Sequence, residues 1–287
     1  MDIRSIVMGL AFALMWSSAF TSARIIVAEA PPMMSLSLRF LLSGGIGVVL
    51  ALFMGQTWKL SRAQWKGVIV FGVCQNALYL GLNFIAMQTI EASLASIIAS
   101  TMPLLVALAG WLIFQDKLRP MGYAGLVAGI FGVALIMGSR FQGNVDLFGL
   151  LLCGVGALSL AIATLSMRGA SSGGNFMMIV GLQMLVGSIV LVGPAVALET
   201  WDVVWNVRLI TAFLYTTLVP GLAATLVWFY LVDRIGAVRA STYHFLNPFF
   251  GVAVAAWILS ESLGSLDIIG VIIIAAGILA VQLSKAR

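Results

Sequence analysis

Apolar residues fall along this chain in runs of about twenty, divided by short polar joints, and a helix of that length spans the hydrocarbon core of a bilayer. Ten runs can be marked, over residues 5–26, 33–54, 67–87, 93–114, 121–138, 147–167, 176–198, 208–231, 238–259 and 266–283. None alternates apolar and polar positions as a barrel strand does, so the pattern predicts helices that close their own backbone hydrogen bonds within the lipid. No joint is long enough to hold a soluble domain.

The pattern also repeats. Residues 84–132 lie over residues 229–277 without a gap, pairing Phe84 with Phe229, Ala95-Ser96 with Ala240-Ser241, Pro103 with Pro248, Gly125 with Gly270 and Gly132 with Gly277. In both copies a proline interrupts an apolar run, an acid (Asp116, Glu261) closes it, and two glycines mark the next run. The expected architecture is an all-α integral membrane protein, with ten transmembrane helices as two five-helix repeats over residues 1–142 and 143–287. Five is odd, so the second repeat enters the membrane the other way up. Inverted repeats of this kind are common in secondary transporters, where two similar halves exchange conformations and open a shared site to alternate sides.

Composition agrees with a membrane protein: 62% of residues are hydrophobic and 9% charged, against roughly a quarter charged in soluble domains. The cations are unevenly placed. Arg4, Lys59, Arg62, Lys66, Lys117, Arg119, Arg168, Arg234, Arg239, Lys285 and Arg287 fall on the side of the N-terminus, and only Arg24, Arg140 and Arg208 on the other. The positive-inside rule then puts both termini in the cytoplasm of a multi-pass protein, expected in a bacterial inner membrane. The net charge of +5 follows from this bias and gives no reason to expect nucleic acid as a partner. Arg4 and Ser17-Ser18-Ala19 imitate a signal peptide, but the repeat uses that first span, with Gly9 opposite Gly154. Cys74 and Cys153 lack metal-ligand spacing and read as packing residues, so no metal or cofactor is expected.

Polar residues inside the spans are the candidate chemistry. Trp16 and Phe20 share one face of span one, beside Ser17. Arg39, in span two, costs about 3 kcal/mol on insertion scales unless it meets water, a partner or the bundle interior; Glu91 and a substrate carboxylate are the two partners available to it. Gln75, Asn76, Tyr79 and Asn83 cluster on one face of span three, and Ser93, Ser96 and Ser100 form a small polar stripe in span four, suited to close helix approach or to a wet cavity. Pro103 and Pro248 sit near mid-span, where each deprives a carbonyl (Ala99, His244) of its amide partner, and Pro220-Gly221 interrupts span eight. His244 is the only histidine, flanked by Tyr243 and Asn247, and reads as a core imidazole, a substrate contact or a proton carrier. Asp116 and Glu261 stand just before the next helix, where an acid complements the helix dipole. Gly125 and Gly129, with Gly270, Ala276 and Gly277, suit close packing within one chain or a dimer face; a monomer is expected.

At these residues the chain resembles a known family. The tract from Asn83-Phe-Ile-Ala-Met-Gln88 through Ala95-Ser96 and Pro103 to Gln115-Asp116-Lys-Leu118 resembles the first repeat of the EamA-type transporters of the drug/metabolite transporter superfamily. Trp228 to Gly236, Arg239-Ala-Ser241, Pro248 and Ser260-Glu261-Ser-Leu263 are similar to the second repeat, Trp16-Ser17-Ser18 with Phe20 to the first-helix tract, and Leu38-Arg39-Phe40 to the second-helix arginine. Asp116 departs from the glutamate more usual there. The resemblance implies ten helices around a central cavity lined by helices one, three, four, six, eight and nine, and export of amino acids or related small metabolites. The Trp-Ser-Ser tract looks most like the bacterial aromatic amino-acid exporters.

Several classes are excluded by what is missing. No carboxylate lies at mid-membrane to relay protons, and no glycine-rich loop with lysine binds ATP, so transport is expected to run on the substrate's own gradient. An intramembrane enzyme would show paired aspartates, a His-Glu-x-x-His site or a glycine-flanked serine; the chain shows none, and no enzyme is expected. A channel would show a filter loop or a ring of charge. The alternative within transport is an exporter of cationic drugs, which would want an acidic or purely aromatic cavity; Arg39, hydroxyls and amides suit zwitterions better. The expected substrate contacts are Trp16, Ser17, Arg39, Tyr79, Asn83, Ser96, Ser100, Tyr243, His244 and Asn247, with Pro103, Pro220 and Pro248 as hinges.

Overall fold

A computed structural model of the chain describes residues 3–115, 119–141, 145–166, 173–235, 240 and 242–285, and among these only helices, turns and loops occur. Among the described residues, nine helical runs are long and apolar enough to cross a bilayer, and the shorter apolar helix Tyr243–Leu259 makes a tenth. In chain order they are α1 (Ile3–Glu29), α2 (Pro32–Phe53), α3 (Arg62–Phe71, a π-helical stretch Gly72–Leu80, then Gly81–Ala86) and α4 (Ala92–Ser100 and Met102–Phe114). Then come α5 (Pro120–Phe141), α6 (Leu147–Ser166), α7 (Phe176–Leu198) and α8 (Val207–Leu218, a π-helical stretch Val219–Ala223, then Ala224–Ile235). The last two are α9 (a 3-10 turn Thr242–Leu246 leading into Asn247–Leu259) and α10 (Ser265–Lys285). Asp116, Lys117, Arg168, Arg239 and Arg287, together with the start of the ninth predicted span, lie outside the described residues.

The repeat is visible in the backbone. Pro103 and Pro248 do not kink continuous helices. Each occupies the first turn of a new segment, where its missing amide hydrogen leaves nothing unpaired within the helix. The caps before them, Thr101 (φ −74°, ψ −11°) and Leu246 (φ −83°, ψ −15°), hold the same place in the two repeats. So do the residues that end these segments, Gln115 (φ 53°) and Ser260 (φ 56°), the only non-glycine residues described with positive φ. A left-handed conformation costs a non-glycine residue about 1 kcal/mol or more, so its recurrence at matched positions marks a constrained turn.

The chain divides into two compact units that cut across the repeats. The first comprises Met1–Thr21, Thr89–Leu150 and Ala223–Arg287. Its main pairing sets α5 against α10 through glycines: a β-carbon on Gly125 would stand 2.7 Å from the carbonyl oxygen of Gly277, and one on Gly132 would stand 3.0 Å from that of Gly270. Contacts ascend α5 while descending α10, so these two helices, which correspond in the repeat, run antiparallel. Because Gly125 matches Gly270 and Gly132 matches Gly277, each contact is the symmetry mate of the other, as at an isologous interface. The inversion predicted from an odd number of spans is thus a direct observation.

Glu261 departs from its expected role. Its carboxylate accepts from the backbone amides of Ala92 (2.8 Å) and Ser93 (2.9 Å), and so caps α4 rather than the helix it precedes. α10 has its own acid, Asp267, which accepts from the Gly264 amide at 2.9 Å. α6 is capped by Asp146, whose carboxyl is held below the usual carboxylate range by the Thr89 hydroxyl at 2.6 Å and by the amides of Phe148 and Gly149.

The second unit comprises Ser22–Gln88 and Leu151–Leu222. Here α2 packs on α7, again antiparallel. Gly44 and Gly47 face Gly181, and the Ser37 and Ser188 hydroxyls meet at 3.1 Å, each also donating to the other's backbone carbonyl. The two helices exchange caps. Glu199, after α7, accepts from the amides of Met33 (2.7 Å) and Met34 (2.9 Å), while Gln56, after α2, accepts from Met178 (3.0 Å) at the start of α7. Arg24 donates to the carbonyl of Met87 at the end of α3, where a cation suits the helix dipole.

The glycine crossing gives a testable consequence. Gly277→Leu forces α5 and α10 apart and should destabilise the protein by about 1–3 kcal/mol, lowering the thermal unfolding midpoint in detergent. Gly138→Leu, on α5 with open space at its β-carbon, should leave the midpoint in place.

Candidate substrate site

In the first unit an aromatic cluster assembles where α1, α8 and α9 meet. Phe12 and Trp16, one turn apart on α1, have ring centroids 5.7 Å apart, and Phe12 lies 4.8 Å from Trp228 of α8. His244 stands edge-on to Phe12 at 5.4 Å and tilted against Trp228 at 5.1 Å. Phe12 is fully enclosed, whereas Trp16, Trp228 and His244 keep part of their surface free. The imidazole is anchored from its own helix: Asn247 Nδ2 lies 3.0 Å from His244 Nδ1. An amide nitrogen only donates, so Nδ1 is the acceptor and the ring proton sits on Nε2.

Beside the cluster, α1, α4 and α9 come together at Gly251, one turn beyond Asn247. A β-carbon there would fall on the Ser96 hydroxyl and stand 3.9 Å from the β-carbon of Ser17. The hydroxyls of Ser17 and Ser96 and the Oδ1 of Asn247 are buried with no hydrogen-bond partner. Ser100 is satisfied within α4, donating to the Ser96 carbonyl at 2.7 Å. Tyr243 packs its ring against Gly9 and belongs to a core with Leu231 and Ala240.

The other expected residues belong to the second unit. Asn83 Nδ2 donates to the Tyr79 carbonyl at 2.8 Å, both side chains are buried against Gly156 of α6, and Asn83 Oδ1 has no partner. Asn76 spans to α7, donating to the Gln183 carbonyl at 2.9 Å. Arg39, two turns into α2, is 5% exposed; its guanidinium lies 5.3 Å from the Phe40 centroid and its Nε is unpaired. A terminal nitrogen of Arg39 approaches Gly221 at the π-helical stretch of α8 that contains Pro220. The corresponding turn of the first repeat, in α3, is π-helical as well. Such bulges are frequent at functional sites. Within its unit Arg39 has no carboxylate partner among the described residues, and Glu91 belongs to the first unit.

Together these features describe a multi-pass protein with broken helices, paired π-bulges, a buried cation and orphaned polar groups. The profile of the EamA-like transporter family matches residues 3–138 and 147–283, one match in each half. The chain belongs to this family. It is 28% identical to the uncharacterized transporter YvbV of Bacillus subtilis (strain 168), covering 96% of this chain and 90% of that one. It is 25% identical to the uncharacterized inner membrane transporter YedA of Escherichia coli (strain K12), over 96% of this chain and 90% of YedA. A solved crystal structure at 17% identity covers 98% of both chains with a TM-score of 0.69, which shows the shared fold.

Phe12 and Trp228 were not among the residues singled out for substrate contact, although Phe12 lies one turn from Trp16 on the same face of α1. Arg39 yields a sharp expectation. A buried cation without a counter-charge is a cost to the resting fold, so Arg39→Met, which keeps the apolar stem, should leave the thermal unfolding midpoint unchanged or raised. A fall of several degrees would make Arg39 a structural residue.

Proposed function

We propose that this EamA-family transporter exports neutral amino acids, aromatic ones foremost, or related small metabolites, down their own gradient by alternating access. The observation that carries this reading is the half-open cluster of Trp16, Trp228 and His244 beside polar groups with no partner. Flat rings offer a face to an aromatic or apolar side chain. The Nε2 hydrogen of His244 is placed to donate to a carboxylate. The five-helix repeats, taken as residues 1–142 and 143–287, are the halves that exchange conformations, and Pro103, Pro220 and Pro248 mark where helices are already interrupted. The cation bias argues for cytoplasmic termini in an inner membrane. A C-terminal green fluorescent protein fusion should therefore fluoresce, and a C-terminal periplasmic phosphatase fusion should be inactive.

A cationic-drug exporter is the rival reading, because the same rings would hold a cation through their π-faces. The two separate in proteoliposomes containing only the purified protein. Saturable flux of radiolabelled phenylalanine, tyrosine or tryptophan, reduced about tenfold or more by Trp228→Ala, is the expected result. Flux of tetraphenylphosphonium without amino-acid flux would replace amino acids with lipophilic cations as the substrate class.

A further inference from the structure

A helical serine or threonine inside a membrane has a default partner, the carbonyl one turn back on its own helix. Ser18, Ser43, Ser100, Thr101 and Thr216 all use it, at 2.6–2.7 Å. Four hydroxyls of the first unit do not: Ser17 and Thr21, one turn apart on α1, and Ser93 and Ser96, one turn apart on α4, are at most 2% exposed and have no partner. Asn247 Oδ1 is also unpaired, and Asn247 is 8% exposed. Ser17 and Ser96 converge at Gly251, one turn beyond Asn247, and only a residue without a side chain leaves room for the Ser96 hydroxyl.

We propose that this cluster on α1, α4 and α9 is a sodium site. Its certain members are neutral oxygens: the Ser17 and Ser96 hydroxyls and Asn247 Oδ1, whose amide nitrogen is engaged by His244 and leaves only an acceptor. The first α4 segment ends beside the site, at Thr101, with the negative end of its helix dipole. The site includes no carboxylate, so it suits a monovalent rather than a divalent cation, for which neutral oxygens can replace the hydration shell. Its enclosure at a close helix crossing favours Na+ over the larger K+. An ion held there ties the three helices together and makes their arrangement dependent on external salt. The inference is independent of the substrate's identity, and its test reads ion binding, not flux.

The test is thermal unfolding of the full-length protein in detergent, with NaCl exchanged against choline chloride at constant ionic strength, and with KCl and methylammonium chloride in parallel. A saturable rise of roughly 3 °C or more in Na+, absent in K+ and choline, is expected. Ser17→Ala and Ser96→Ala should each raise the half-saturating Na+ concentration about tenfold or more. Binding of radioactive sodium to the wild-type protein, displaced by unlabelled Na+ and not by K+, reads the same site should either variant fail to fold. Equal midpoints in all salts with no displaceable sodium would overturn the proposal. So would a Na+ effect that both variants retain in full, which would place the ion elsewhere. A rise in methylammonium as large as in Na+ would assign the oxygens to the substrate's amine instead. If amino-acid flux fails while the sodium result holds, the substrate reading alone falls.

Discussion

An amide or carbonyl left without a partner in hydrocarbon costs several kcal/mol, because no water is present to replace the lost bond. In this protein that constraint is met mostly at helix ends. A helix leaves four amides unpaired at its start, and the starts of α2, α4 and α7 are met by side chains from distant parts of the chain: Glu199, Glu261 and Gln56. Each capping acceptor stands just past the end of another helix in the same unit. Capping therefore also fixes which helices are neighbours, and the acids at the joints serve as tertiary contacts.

The same economy explains the helix pairing. Helices in lipid gain little by burying apolar surface against one another, so contact must come from close backbone approach. In α5 with α10, and in α2 with α7, glycines supply that approach. Each pair joins corresponding helices of the two repeats, which is the arrangement expected when a duplicated, inverted unit packs on its own copy. A substitution at such a crossing touches both repeats at once. Gly125, Gly132, Gly270 and Gly277 hold matched positions because each of the two contacts is the counterpart of the other.

Much of this was legible in the sequence. The apolar runs, the repeat and the paired prolines are one-dimensional patterns, and they translate directly into ten helices, corresponding backbone breaks and antiparallel mates. What could not be read was which helix a polar residue would meet. Glu261 precedes α10 in the chain yet caps α4, because the left-handed Ser260 turns the chain between the two. Tyr243 and His244 are adjacent in a polar tract; one fills a core against Gly9 and the other joins the aromatic cluster, a difference set by the 3-10 turn that no periodicity announces. Phe12 and Trp228 come together from opposite ends of the chain, and only the fold of the unit makes them neighbours.

Where the fold satisfies its polar groups so consistently, the exceptions carry information. Seven buried side-chain atoms lack partners among the described residues, and five of them belong to α1, α4 and α9 of one unit. Those helices are also where Pro103 and Pro248 restart the backbone. Broken helices and orphaned polar side chains thus fall together in α4 and α9. Keeping such groups unpaired lowers stability in the resting protein. A transporter gains from that arrangement, because whatever binds there recovers the missing interactions and shifts the balance between conformations by its differential affinity alone.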